Sequence, residues 1–174
     1  MIKKTIISIL VILVAFLLQT TVFQVLKLAN VVPNLLLVVT ISYGYLRGRT
    51  HGMWIGLVCG MLLDMMYGSV IGLYAFIFMT IGFFIGYIKK VFFTDGILLP
   101  VILISIGDFV YGLYYYTTEF LLRGRLNIGF FFVKIILPEM IYTILIGILL
   151  FYLINFIDET ALSRRRRKED TNAF

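Results

Sequence analysis

Four ionisable residues stand inside apolar stretches of this 174-residue chain: Asp64, Asp108, Lys134 and Glu139. Hydrocarbon penalises such a charge by about 3 kcal/mol or more, so each needs protein, water or an opposite charge beside it. Two uses of the set are open. They form a polar cavity, open at one end of a helix bundle, that receives a ligand or a partner's transmembrane helix. Alternatively they are internal glue, with Lys134 pairing with one carboxylate and another keeping its proton because burial disfavours charge. Counting about 1.5 Å of rise per residue puts Asp108 near mid-depth, and Asp64, Glu139 and Lys134 toward one end. Glu119 falls near that end too. Pro138 cannot donate to the carbonyl of Lys134, so the spacing predicts a bend beside Glu139.

Other reactive types are sparse. No Gly-x-Ser-x-Gly elbow, phosphate-binding glycine loop or His-Glu-x-x-His pair occurs, and Asp64 and Asp108 lack the motifs of an intramembrane protease. His51 is the only histidine and Cys59 the only cysteine, which leaves no basis for a metal cluster or an internal disulfide. The expectation is a protein that is not an enzyme and carries no cofactor.

The element that must position Asp64 is written in glycine. Gly44, Gly48, Gly52, Gly56 and Gly60 recur every fourth residue; Asp64 takes the next place, then Gly68 and Gly72 follow. Positions four apart lie nearly above one another on a helix, so Gly52, Gly56, Gly60 and Asp64 line one ridge. A ridge without side chains admits a second helix to backbone contact, the logic of small-residue packing in lipid. Gly82 and Gly86 repeat the spacing farther on. These eight positions from Gly52 to Gly86 are the expected helix-packing or partner-binding set.

Composition sets the solvent. The chain is 61% hydrophobic and only 14% charged, with a mean hydropathy of +1.05. Soluble domains are roughly half apolar and a quarter charged, so this is an all-α polytopic membrane protein. The apolar runs predict six transmembrane helices at about 5–26, 33–46, 52–67, 70–88, 97–121 and 130–157. They form one membrane domain over 1–160, followed by a basic tail over 161–174. Arg47 to His51 is expected as a loop, Phe92 to Gly96 and Arg123 to Asn127 as connections, and Pro33 at the first helical turn of its segment. Tyr111, Tyr114, Tyr115 and Tyr116 suggest an interfacial belt, with a recognition surface as the other reading.

Six crossings place both termini on one side. That side collects Lys3, Lys4, Arg47, Arg49, Lys89, Lys90 and the run Arg164, Arg165, Arg166, Arg167 and Lys168, whereas Lys27, Arg123 and Arg125 fall opposite. The positive-inside bias therefore predicts cytoplasmic termini. The tail run is expected to hold anionic lipid at the membrane surface. The net charge of +6 is explained by this topology, and no nucleic-acid partner is expected.

Several motifs together resemble the rod shape-determining MreD family: Pro33-Asn34-Leu35-Leu36-Leu37, the Arg47-Gly48 turn, Gly56-Leu57-x-x-Gly60-x-x-x-Asp64 and Gly68-x-x-x-Gly72-Leu73. The resemblance is most specific between Pro33 and Ala75, and elsewhere follows hydropathy. It implies a bacterial plasma-membrane subunit of the cell-elongation complex, working with MreC and through it with MreB, RodA and the elongation transpeptidase. It carries over no catalytic residues. A rival class is the substrate-binding subunits of energy-coupling-factor vitamin transporters, small six-helix proteins whose fold is similar to that expected here. Those subunits show Ala-x-x-x-Ala in their first helix, where this chain reads Val14-Ala15-Phe16-Leu17-Leu18-Gln19-Thr20. That departure favours the scaffold. A lipid transporter is a third reading, supported only by the intramembrane charges.

Overall fold

A computed structural model describes the backbone of residues 2–27, 30–68, 71–91, 98–121, 129 and 132–171, and the side chains of these apart from 2–4, 91, 119–121 and 161–171. The connections expected at 92–96 and 123–127, the side chain of Glu119, and the tail side chains Arg164 to Lys168 lie outside the described residues.

Among the described residues, six helices follow one another. Helix α1 runs Ile2–Leu17, continues through a wide π-type turn at Leu18–Val22 and ends with Phe23–Val25. Helix α2 is Leu35–Arg47, α3 is Arg49–Tyr67 and α4 is Leu73–Val91. Helix α5 is Leu98–Tyr115, prolonged by a π-type turn at Tyr116–Leu121. Helix α6 opens with such a turn at Phe132–Ile136 and runs Leu137–Thr171. Four of them, spanning Thr5–Val25, Leu73–Lys90, Leu98–Thr118 and Phe132–Thr160, are long and apolar enough to cross a membrane.

The other two differ in kind. Helix α2 is apolar but has only 13 residues, about 20 Å of rise against a hydrocarbon core of about 30 Å. It is the centre of the bundle: Leu36, Leu37, Val38, Val39 and Ile41 are fully buried, and α3, α4, α5, α6 and α1 all pack on it. Helix α3 is longer but carries Arg49, His51 and Asp64. The outward faces of the long helices are apolar as well, with Leu13, Phe84, Leu149 and Phe156 exposed. A soluble protein hides such contiguous surface; a lipid-facing one presents it.

Several boundaries depart from expectation. The loop predicted from Arg47 to His51 is a single residue, Gly48, and Arg49 to His51 form the first turn of α3. Gly48 holds φ 89° and ψ 177°, a region essentially restricted to glycine, and this lets one residue reverse the chain. Pro33 lies outside α2, one residue before the N-cap Asn34. Helix α4 starts at Leu73 rather than Val70, after Gly72 at φ 103°. Asn30 takes the left-handed conformation, φ 71°, in the turn after α1, as asparagine does more readily than most residues. Near Pro138, where a bend is expected, the helix type changes: the π-type turn Phe132–Ile136 gives way to α-helix just before it.

Candidate helix-packing and polar sites

Helices α3 and α4 form an antiparallel pair in backbone contact, the largest interface in the bundle. A methyl group built on Gly60 would collide with the backbone of Tyr74 and Ala75, one on Gly56 with the carbonyl of Phe78, and one on Gly52 with that of Gly82. From the α4 side, Gly82 faces the carbonyl of Gly52, and Gly86 faces the backbone of Gly48 and Arg49. Gly44 brings α2 to the same node, where an added methyl would lie 2.9 Å from the Gly82 oxygen. The structure places Gly68 and Gly72 off this ridge. Gly68 caps α3, donating its N–H to the carbonyl of Asp64 at 3.0 Å, and Gly72 is a turn residue with open space around it.

The same register delivers Asp64 to the start of α4. Tyr74 N donates to Asp64 Oδ1 at 3.0 Å and Ala75 N donates to Oδ2 at 2.9 Å. Gly72, at the N-cap position, has no side chain with which to satisfy these orphan amides, so the carboxylate of the preceding helix does so from across the hairpin. A negative charge at a helix N-terminus is also favoured by the dipole. Asp64 is 3% exposed and both of its oxygens are occupied. The open ligand-contact role is thus replaced by a helix cap.

A second cap holds the buried start of α2. Asn34 Oδ1 accepts from Leu37 N at 3.2 Å, and Gln19 Oε1 accepts from Leu36 N at 3.0 Å. Asn34 N donates to Thr143 Oγ1 at 3.1 Å, and Leu35 N to the Pro33 carbonyl at 3.1 Å. In a short helix enclosed by others, each of these amides would cost several kcal/mol if unpaired in a dry environment. Gln19 reaches its partner from the π-type turn of α1, where the extra residue of the wide turn re-aims the side chain. Gln19 and Thr143 escape sequence reasoning because their partners lie 17 and 109 residues away.

At the other end of α2, Arg47 joins three helices. Its Nε and Nη2 donate to Asp158 Oδ1 at 2.9 and 2.6 Å, and Nη1 donates to Ser8 Oγ at 2.7 Å. The guanidinium also sits 4.6 Å from the centre of the Tyr43 ring. This is the one ion pair among the described residues, its side chains 9% and 8% exposed. Removing one partner of a buried pair costs about 3–5 kcal/mol, since the other charge is stranded. Asp158 was not singled out from sequence, because it lies at the end of the apolar run where a carboxylate looks solvated.

Asp108 is built differently. It is also 3% exposed, but its Oδ1 has no hydrogen-bond partner among the described residues. Thr143 and Glu139 of α6 are its polar neighbours, and the Tyr111 ring lies within electrostatic reach of both carboxylates. Lys134 does not join them: it is exposed and pairs with no described carboxylate. The ion pair of the glue reading is thus not made among the described residues, and the Glu119 side chain lies outside them. Tyr111 packs at 5.7 Å on Phe78 and 6.2 Å on Tyr74, Tyr114 Oη donates to the Leu73 carbonyl at 3.1 Å, and Tyr116 is buried. Tyr111 and Tyr114 thus meet the start of α4, while Tyr116 packs with Ile136 of α6.

These polar groups cap helices and join them; no nucleophile with a paired base appears among the described residues. No curated protein and no solved structure matches the chain. A family model, rod shape-determining protein MreD, matches residues 1–158. That match takes in all six helices up to the Arg47–Asp158 pair, and the chain belongs to the MreD family of rod shape-determining membrane proteins.

Proposed function

We propose that the chain is a non-catalytic subunit of the bacterial cell-elongation complex, a scaffold that holds MreC in the inner membrane and, through it, MreB, RodA and the elongation transpeptidase. The observation that carries the reading is the family match over residues 1–158. The construction of the bundle supports it, since Asp64, Asn34 and Arg47 are engaged in joining helices. The six helices cross with both termini in the cytoplasm. Supporting that orientation, Arg47, Arg49, Lys89 and Lys90 collect at one end of the bundle, the arrangement the positive-inside bias requires.

Two measurements test this. With Cys59 replaced, cysteines introduced at Asn30 and Asn127 should label from outside intact cells, and those at Asp95 and Thr171 should not. Outside labelling at Asp95 would break the six-span orientation. MreC should co-purify with the tagged chain from membranes, and its loss in Asp64→Leu should accompany widened cells. Absence of MreC together with tight binding of a vitamin or other solute would instead favour the transporter class.

A further inference from the structure

At the basic end of the bundle, the junction of α2 and α3 faces the last turn of α4 across a cavity of about 400 Å³. Arg47, Arg49, Lys89 and Lys90 line it around Gly48, and among the described residues no aspartate or glutamate does. Arg47 is already neutralised by Asp158. The other three cations have no acidic partner among the described residues. Arg49 lies 6.0 Å from the centre of the Phe83 ring and Lys89 3.7 Å from that of Tyr45. Those contacts hold the two side chains without cancelling their charge.

The floor of the cavity is backbone. Gly86 has no side chain, and a methyl there would strike Arg49 and Gly48; beside Gly48 the space is open. Tyr45 and Leu46 supply an apolar wall, and α4 ends here after a run of crossing length. Three uncompensated cations converging on a concavity attract an anion with several acceptor oxygens, and phosphate fits that demand. A surface cation at a bilayer contributes about 1 kcal/mol toward an anionic lipid, and a shaped cluster adds position to that attraction.

We propose that this cavity is a binding site for a phosphate group, which the headgroup of an anionic lipid supplies in the membrane and a soluble phosphate supplies otherwise. It is separate from the basic run Arg164 to Lys168 and requires nothing of the protein partners proposed above. Arg49 and Lys90 are its directing cations, and both are exposed, so the bundle tolerates their neutralisation.

The full chain is reconstituted in phosphatidylcholine vesicles, with or without a minor share of phosphatidylglycerol, and retained lipid is measured by native mass spectrometry after gentle extraction. Wild type should retain phosphatidylglycerol over phosphatidylcholine. The double variant Arg49→Gln/Lys90→Gln should lower that preference roughly thirtyfold, as two surface cations at about 1 kcal/mol each would. A variant with Arg164 to Lys168 changed to glutamine should keep it. In the phosphatidylcholine arm, inorganic pyrophosphate is added and the melting temperature read. A rise that vanishes in the double variant, without selective lipid retention, identifies soluble phosphate as the source. If the double variant, intact by circular dichroism, matches wild type in both arms, the site does not exist. Loss of retention in the tail variant alone overturns it equally.

Discussion

The α3–α4 pair and the α5–α6 pair each join two apolar helices, but with different materials. Between α3 and α4 the contact is backbone on backbone, and Gly52, Gly56 and Gly60 leave no room for a methyl group. Between α5 and α6, Gly112 faces the flexible Ile136 side chain, which an added methyl would approach at 3.2 Å. Each pair also contains an aspartate that is 3% exposed. Asp64 has a backbone amide on each oxygen, whereas Asp108 has an oxygen with none. Depth of burial is therefore a poor guide to what a membrane carboxylate does. The donors around it decide whether it locks a joint or leaves it adjustable.

The largest effect should come from closing the seam. Gly56→Leu forces the two backbones apart; overpacking a core typically costs about 1–3 kcal/mol, and here the obstacle is a carbonyl that cannot rotate away. We expect a loss of at least about 3 kcal/mol and little folded protein in detergent. Val58→Leu, exposed on the same helix, should leave the melting temperature unchanged. Gly112→Ala should cost less than Gly56→Ala, because Ile136 can change rotamer. Equal melting temperatures for the two alanine variants would abolish the distinction between the pairs.

How much of this was legible in the chain follows from the same contrast. The four-residue glycine repeat is a property of one helix and its face is readable from spacing alone. So were the six helices, since long apolar runs announce themselves. The hydrophobic core was not legible. Lipid-facing and core-facing residues are equally apolar, and nothing in the letters separates Leu149, 68% exposed, from Ile154, 1% exposed, on α6. Hydrogen bonds across the bundle were also hidden. The pairing of Arg47 with Asp158 spans 111 residues, and the cap supplied by Gln19 depends on a wide turn in α1 that no sequence period marks. Lys134 shows the same limit: its depth in the apolar run implies a partner, and its side chain is exposed on the outside of the bundle.

The next effect in size concerns the anchored aspartate. Asp64→Leu removes both acceptors and strands the amides of Tyr74 and Ala75, at about 1–3 kcal/mol for each. Asp64→Asn keeps one carbonyl oxygen and should lose about half as much. The melting temperatures should fall in the order wild type, Asn, Leu, and hydrogen exchange should speed first at the start of α4. Exchange that stays slow at Tyr74 and Ala75 in Asp64→Leu would mean that other acceptors replace the carboxylate, and the seam would not depend on its cap.

The smallest effect is expected at Asp108, and it sharpens the comparison most. Asp108→Asn gives up no hydrogen bond at Oδ1, because none is made there among the described residues. The remaining oxygen can still accept from Thr143, its neighbour on α6. The substitution removes a carboxylate that lies close enough to Glu139 for the two to repel when both are ionised. The new amide hydrogens have the Glu139 carboxylate as a nearby acceptor. We therefore expect Asp108→Asn to change stability by less than about 0.5 kcal/mol or to raise it slightly, while Asp64→Asn lowers it. Since Thr143 also accepts from Asn34 N, the cap of α2 should survive, and exchange at Leu36 and Leu37 should stay slow. If Asp108→Asn instead destabilised the protein as much as Asp64→Asn, its orphan oxygen would have to hold a partner in the membrane, such as a water or a cation. The two aspartates would then be alike, and the adjustable character assigned to the α5–α6 pair would fail.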